Sequence, residues 1–82
     1  MAAYVMLIDD SPTVRLQAGR ALSAAGFGII EATDGIDALE KIATADDVAL
    51  IICDVNMPRM NGIEFVEALS HSGAVAPPVI ML

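Results

Sequence analysis

Cationic side chains are scarce in this sequence. Four Lys and Arg stand against 11 Asp and Glu, for a formal net charge of −7. Nucleic-acid binding through phosphate neutralisation needs clustered Lys and Arg, and none occur, so direct nucleic-acid recognition is not expected. Cysteine is limited to Cys53, which excludes an internal disulfide and fits a reducing, cytoplasmic compartment. No apolar run approaches the ~20 residues that a membrane helix needs. The N-terminus has no basic region ahead of an apolar one, so neither a membrane span nor a signal peptide is expected. Phosphate-binding and nucleophile-elbow motifs are also missing. Gly26-Phe27-Gly28 precedes a strand and lacks a third glycine, so it is not a dinucleotide loop.

What the chain does have is apolar residues, 56% of 82, with a mean hydropathy of +0.66. Its length suits one small domain. Its organising stretch is Val48 to Cys53, an unbroken apolar run that ends in Asp54 and is followed by the turn residues Asn56, Pro58, Asn61 and Gly62. Short runs rich in Val and Ile, bounded by turn residues, read as strands buried on both faces. Such strands belong to parallel sheets covered by helices.

The rest of the chain alternates in the same way. Tyr4–Ile8 reads as a first strand, stopped by Asp9-Asp10. Ser11 or Asp10 then caps a helix with Pro12 in its first turn. Val14, Ala18, Ala21, Leu22 and Ala25 form its expected apolar face, with Arg15 and Arg20 outside it and Gly26 closing it. Phe27–Ala32 reads as a second strand, and Thr33-Asp34-Gly35 as a turn that can cap the next helix. That helix turns Ile36, Leu39, Ile42 and Ala43 inward and carries an Asp37–Lys41 pair at i,i+4. Asp46-Asp47 lead into the third strand. After the Asn56–Gly62 loop, Ile63, Val66 and Leu69 mark a third helix, with Glu64 and Glu67 near its N-terminus and Ser72-Gly73 at its end. Pro77-Pro78 precede a fourth strand, Val79–Leu82. The order β-α-β-α-β-α-β, with short connections, implies an α/β parallel sheet with right-handed crossovers.

Ligands of open parallel sheets bind beyond the carboxyl ends of the strands. Asp9 and Asp10 end the first strand and Asp54 ends the third. If these strands are neighbours, three carboxylates meet and require a compensating cation. Carboxylates with loop carbonyls and water are the ligand set that Mg²⁺ prefers. An aspartate beside such a metal can act as a nucleophile toward phosphorus. The alternative is that Asp9 and Asp10 serve only as turn and cap residues. Cys53 reads as core, and Met57 and Met60 as gap-fillers beside the loop. His71 stands near a helix C-terminus, with no second His to share a ligand role.

Three segments together, Met6-Leu7-Ile8-Asp9-Asp10-Ser11, Ala32-Thr33-Asp34-Gly35-Ile36-Asp37-Ala38-Leu39 and Ile51-Ile52-Cys53-Asp54-Val55-Asn56-Met57-Pro58-Arg59-Met60-Asn61-Gly62, resemble the response-regulator receiver domain of two-component signal transduction. The resemblance implies a flavodoxin-like sheet of strand order 2-1-3-4 with helices on both faces. It implies Asp54 as phosphoacceptor and Asp9, Asp10, Asp54 and the Asn56 backbone carbonyl as Mg²⁺ ligands, with Pro58 and Gly62 shaping the loop. The implied donor is a sensor histidine kinase or phosphotransfer protein, and the implied role is that of a phosphoacceptor rather than an enzyme.

Receivers continue beyond the fourth strand with a hydroxyl residue, a helix, a fifth strand ending in Lys, and a final helix. Here the sole Lys is Lys41. Residues 1–82 are therefore expected to be a partial receiver domain that lacks the last helix-strand-helix portion and is unable to switch. Its fourth strand is expected to offer a bare apolar edge, with neither face under a helix, and to associate with another copy. Two other readings remain. A phosphatase of the haloacid dehalogenase type also uses an Asp nucleophile with Mg²⁺, but it places a second Asp where Asn56 stands. An interaction module without phosphorylation is the other.

Overall fold

A computed structural model describes residues 3–45, 47–57, 59–72 and 76–82. The elements are β1 (Tyr4–Ile8), α1 (Pro12–Ala24), β2 (Gly28–Ala32), α2 (Gly35–Thr44), β3 (Val48–Cys53), α3 (Gly62–His71) and β4 (Val79–Met81). The strands form one parallel sheet of order β2-β1-β3-β4. This is the flavodoxin-like arrangement, and it places β1 and β3 side by side. Asp46, Pro58 and Gly73, each given a role above, lie outside the described residues.

Strand alternation divides the apolar residues between two faces. Met6, Ile8, Ala32, Ile51 and Cys53 point to one side and form a buried cluster with Ala38 of α2 and Phe65 and Leu69 of α3. The register stacks them directly: Met6 opposite Ile30 and Ile51, Ile8 opposite Ala32 and Cys53. Val5 and Leu7 point to the other side, toward α1. There a Cβ added at Gly19 would lie in ordinary contact with Ile29 and Leu7.

Helix starts follow local chemistry. Ser11 caps α1, its hydroxyl accepting the Val14 N–H at 3.3 Å, which leaves Asp10 free of that task. Asp34 caps α2 through the Asp37 N–H. Asn61 and Glu64 form a reciprocal capping box on α3. Gly26, at φ 97°, follows α1, and the Phe27 N–H still bonds back to Leu22 O. That bond is why β2 begins at Gly28 and not at Phe27.

Several expected inward faces are corrected. In α3 the buried residues are Phe65 and Leu69, while Ile63 is 55% and Val66 36% exposed. Gly62 packs against the sheet edge, and this contact sets the helix phase so that positions 62, 65 and 69 face inward. In α2, Ala38 is buried and Ile36 is exposed. No residue of α1 is buried, and Val14 and Ala21 of its expected face are exposed. β4 ends at Met81, although the Leu82 N–H continues the ladder to Cys53 O. One face of β4 is covered after all: Val79 and Met81 pack against the core cluster, and only the Ile80 side is open.

Candidate metal and phosphoacceptor site

The sheet's hydrogen bonding runs one residue past the strands. The Asp9 N–H donates to Ala32 O at 3.1 Å and the Asp54 N–H to Ile8 O at 2.9 Å. Both aspartates are thus fixed by their backbones at the carboxyl edge, on adjacent strands. Asp10 follows on the turn into α1. One carboxylate oxygen from each of Asp9, Asp10 and Asp54 lies within 4.8 Å of the others. Asp9 and Asp54 are half-buried and Asp10 is exposed.

Each half-buried carboxylate is oriented by its own loop. Asp9 Oδ1 accepts the Ser11 N–H at 2.9 Å, and Asp54 Oδ1 accepts the Asn56 N–H at 3.2 Å. Among the described residues no hydrogen bond reaches Asp54 Oδ2. Asn56 is exposed, two positions beyond the acceptor. Arg15, expected off the apolar face of α1, instead lies on its sheet-facing side beside Ala18, with a side chain only 14% exposed, and ties the edge together. Its Nη1 donates to Asp9 O at 2.5 Å and its Nε to Glu31 at 3.0 Å. Lys41 instead bonds Asp37 and the Glu31 carbonyl on α2's side of the sheet.

The donor set fits a hard divalent cation. Octahedral ligands about 2.1 Å from Mg²⁺ stand about 3 Å apart when adjacent and about 4 Å when opposite. The observed 4.8 Å limit exceeds this only slightly, and a side-chain rotation or a bridging water closes the difference. Three carboxylates gather there, the sole lysine, Lys41, pairs with Asp37 instead, and Arg15 binds the Asp9 carbonyl, so a divalent cation suits the cluster as further counter-charge.

Gly62 makes the site compact. Its N–H donates to Val55 O at 3.0 Å, and a Cβ there would sit 2.6 Å from the Asp54 carbonyl oxygen. Only glycine permits that approach. Cys53 beneath it is fully buried; burial, and then the charges of Asp54 and Asp9, push its thiol up to about 11. That agrees with a core role.

Sequence reasoning missed one pair next to the site. Arg59 Nε donates to Asp34 Oδ2 at 2.6 Å. The guanidinium, followed by the Asp37 N–H, holds the Asp34 carboxyl below the usual range. Asp37 is lowered as well, first by the Thr33 N–H and then by Lys41. Asp34 was legible as a cap and Arg59 as a loop cation, but they are 25 residues apart and nothing local joins them.

The model of the "Response regulator receiver domain" family matches residues 5–82. The chain belongs to the response-regulator receiver family. Protein PilG of Pseudomonas aeruginosa is 42% identical over 79 residues, which are 95% of this chain and 58% of PilG. The chemotaxis response regulator CheY4 of Vibrio cholerae superposes with a TM-score of 0.90 at 38% identity, over 99% of this chain and 68% of that one. TrrA of Thermotoga maritima does so with a TM-score of 0.80 at 27% identity, over 87% of this chain and 61% of TrrA. The receiver chain thus spans 58% of PilG, and as little as 6% of longer relatives. Receiver domains act in two-component signalling as phosphoacceptors rather than classical enzymes. They pair with histidine kinases or phosphotransfer proteins and generally bind Mg²⁺ at an acidic pocket. Among the described residues no helix is long and apolar enough to cross a membrane.

Proposed function

We propose that this receiver chain accepts a phosphoryl group on Asp54 from a phosphohistidine of a sensor kinase or phosphotransfer protein, in a Mg²⁺-dependent reaction in the cytoplasm. The observation that carries this reading is the convergence of Asp9, Asp10 and Asp54 within 4.8 Å at one sheet edge. The TrrA structure, solved in complex with Mg²⁺–BeF, supports the same assignment.

Asp9, Asp10, Asp54 and the Asn56 carbonyl would hold the cation. When bound, Mg²⁺ screens the charge of the incoming phosphoryl group. Asp54 Oδ2, not held by a hydrogen bond among the described residues, is the attacking atom. Its lone pair forms the new O–P bond as the donor's N–P bond breaks. The electron pair of that bond stays on the departing imidazole, which then takes a proton. Asn56 N–H and the backbone bond to Ile8 hold Asp54 in place meanwhile. Incubation with a small acyl phosphate and Mg²⁺ should add one phosphoryl group to the wild-type chain and none to Asp54→Asn. Equal labelling of both would overturn the assignment.

We infer further that residues 1–82 are the metal and acceptor part of a receiver, and that this part binds Mg²⁺ without switching. A phosphorylation-driven change of conformation far from the edge, seen by NMR, would contradict that. Among the described residues β4 pairs only with β3, and Ile80 and Leu82 are 48% and 72% exposed. This edge is read as a self-association surface. Sedimentation should show dimers that Ile80→Lys disperses; a monomer at high concentration would refute it.

A further inference from the structure

Asp34 is the only buried charged side chain among the described residues, 4% exposed. It caps α2 with one oxygen, accepting the Asp37 N–H at 2.9 Å, and holds Arg59 with the other at 2.6 Å. Arg59 has a φ of 61°, in the left-handed region that residues with a Cβ seldom enter. Such a conformation persists where surrounding contacts enforce it. The next residue is held as well. Met60 O accepts the Gly35 N–H at 3.1 Å, and a Cβ at Gly35 would meet Met60 Cγ at 2.6 Å. The first turn of α2 therefore grips two consecutive residues of the loop that leaves β3. That loop begins at the acidic pocket, with Asn56 bonded to Asp54 Oδ1 and Gly62 closed onto Val55 O.

Surface ion pairs ordinarily contribute little. This one differs because its carboxylate is buried and already committed to a helix cap. Loss of the guanidinium leaves a buried charge with one donor fewer. The strained backbone at Arg59 also loses its anchor. The Arg59 side chain is more than half exposed, so the clasp can be removed without opening the core.

We propose that Asp34 and Arg59 are positioning residues for the acidic pocket: their pairing fixes the loop carrying Asn56 and so sets the divalent-cation affinity of the Asp9–Asp10–Asp54 site from α2. The proposal rests on the reading of that site as a cation and acceptor pocket. Neither residue touches the cation or the phosphoryl group; they act through the backbone of the loop.

The test uses the 82-residue chain as wild type, Arg59→Ala, Arg59→Lys and Asp34→Asn. Asn keeps a good cap while removing the charge, so folding is preserved in that variant and is checked by circular dichroism. Mg²⁺ affinity is measured by calorimetry, and amide exchange at Asn56, Met57 and Met60 by NMR without metal. Arg59→Ala and Asp34→Asn should each speed exchange of these amides and weaken Mg²⁺ binding by about tenfold, the scale seen when groups supporting metal ligands are removed. Arg59→Lys should recover most of the affinity, which a purely structural loss would not explain. Wild-type affinity in Arg59→Ala, or loop loosening with unchanged affinity, would overturn the proposal. A wild-type chain that binds no Mg²⁺ overturns the pocket reading itself, and the proposal with it, and is seen before any variant is compared.

Discussion

The two faces of the sheet carry nearly equal apolar strand positions, yet they are finished to different degrees. On the α2–α3 face, Met6, Ile8, Ala32, Ile51 and Cys53 are all fully buried. On the α1 face, Val5 and Leu7 are buried, but Leu50 and Ile52 are only partly so and Ile80 is open. Two helices contribute large side chains to the first face, and α1 contributes none that is buried to the second. Continuous Val/Ile runs therefore identify strands without saying how well each face is covered. The acidic pocket draws on both faces: Asp9 and Asp54 continue the α1 face beyond Leu7 and Ile52, where they line a small cavity with Val14, Arg15 and Ala18, while Gly62 packs the loop after Asp54 onto Cys53 and Met81 of the well-covered face.

The largest expected effect tests that asymmetry. Phe65→Ala should cost about 3–5 kcal/mol in urea denaturation, since a fully buried aromatic leaves a cavity beneath β3. A small loss would mean that the two faces are energetically alike. Gly62→Ala should cost about 1–3 kcal/mol, because the new methyl group meets the Asp54 carbonyl and must push the loop away. It should also weaken Mg²⁺ binding, which calorimetry reads separately.

Acid sensitivity is also assigned to the α2–α3 face. Asp34 and Asp37 have carboxyls held below the usual range in the folded chain. Their stabilisation is present above the unfolded carboxylate pKa of about 3.9 and is lost as pH falls through the lower folded values. Urea midpoints should therefore drop on acidification below about pH 4, and Asp34→Asn should flatten that drop. An unchanged acid limb in the variant would remove Asp34 from the account. The smallest effect is expected on the other side: Leu16→Ser, on the exposed surface of α1, should change stability by less than about 0.5 kcal/mol. A larger loss would show that the α1 face is as tightly closed as its opposite.

Much of this molecule is legible in its residues. Alternation of apolar runs with capped helices yields every element, and the stops at Asp9-Asp10 and Asp54 mark the edge where the carboxylates gather. Helix phase was less accessible. Ile63 and Val66 form as good an apolar stripe as Phe65 and Leu69, and the choice between them follows from Gly62 docking on the Asp54 carbonyl, a contact between separate elements. The 2-1-3-4 order came from family resemblance, since periodicity alone does not say which strands are neighbours. The Asp34–Arg59 clasp was invisible for a similar reason: a cap and a loop cation become a pair only once the sheet brings α2 beside the loop after β3.

The central claim is that three carboxylates on adjacent strand ends form one cation site beside the acceptor oxygen. A Mg²⁺ titration of the isotopically labelled chain, followed through its amide signals, tests it most directly. Saturable shifts should centre on Asp9 to Ser11 and Asp54 to Asn56, and should weaken sharply in Asp10→Asn. Shifts that fail to saturate, or that are the same when Asp9, Asp10 and Asp54 are all replaced by Asn, would contradict it.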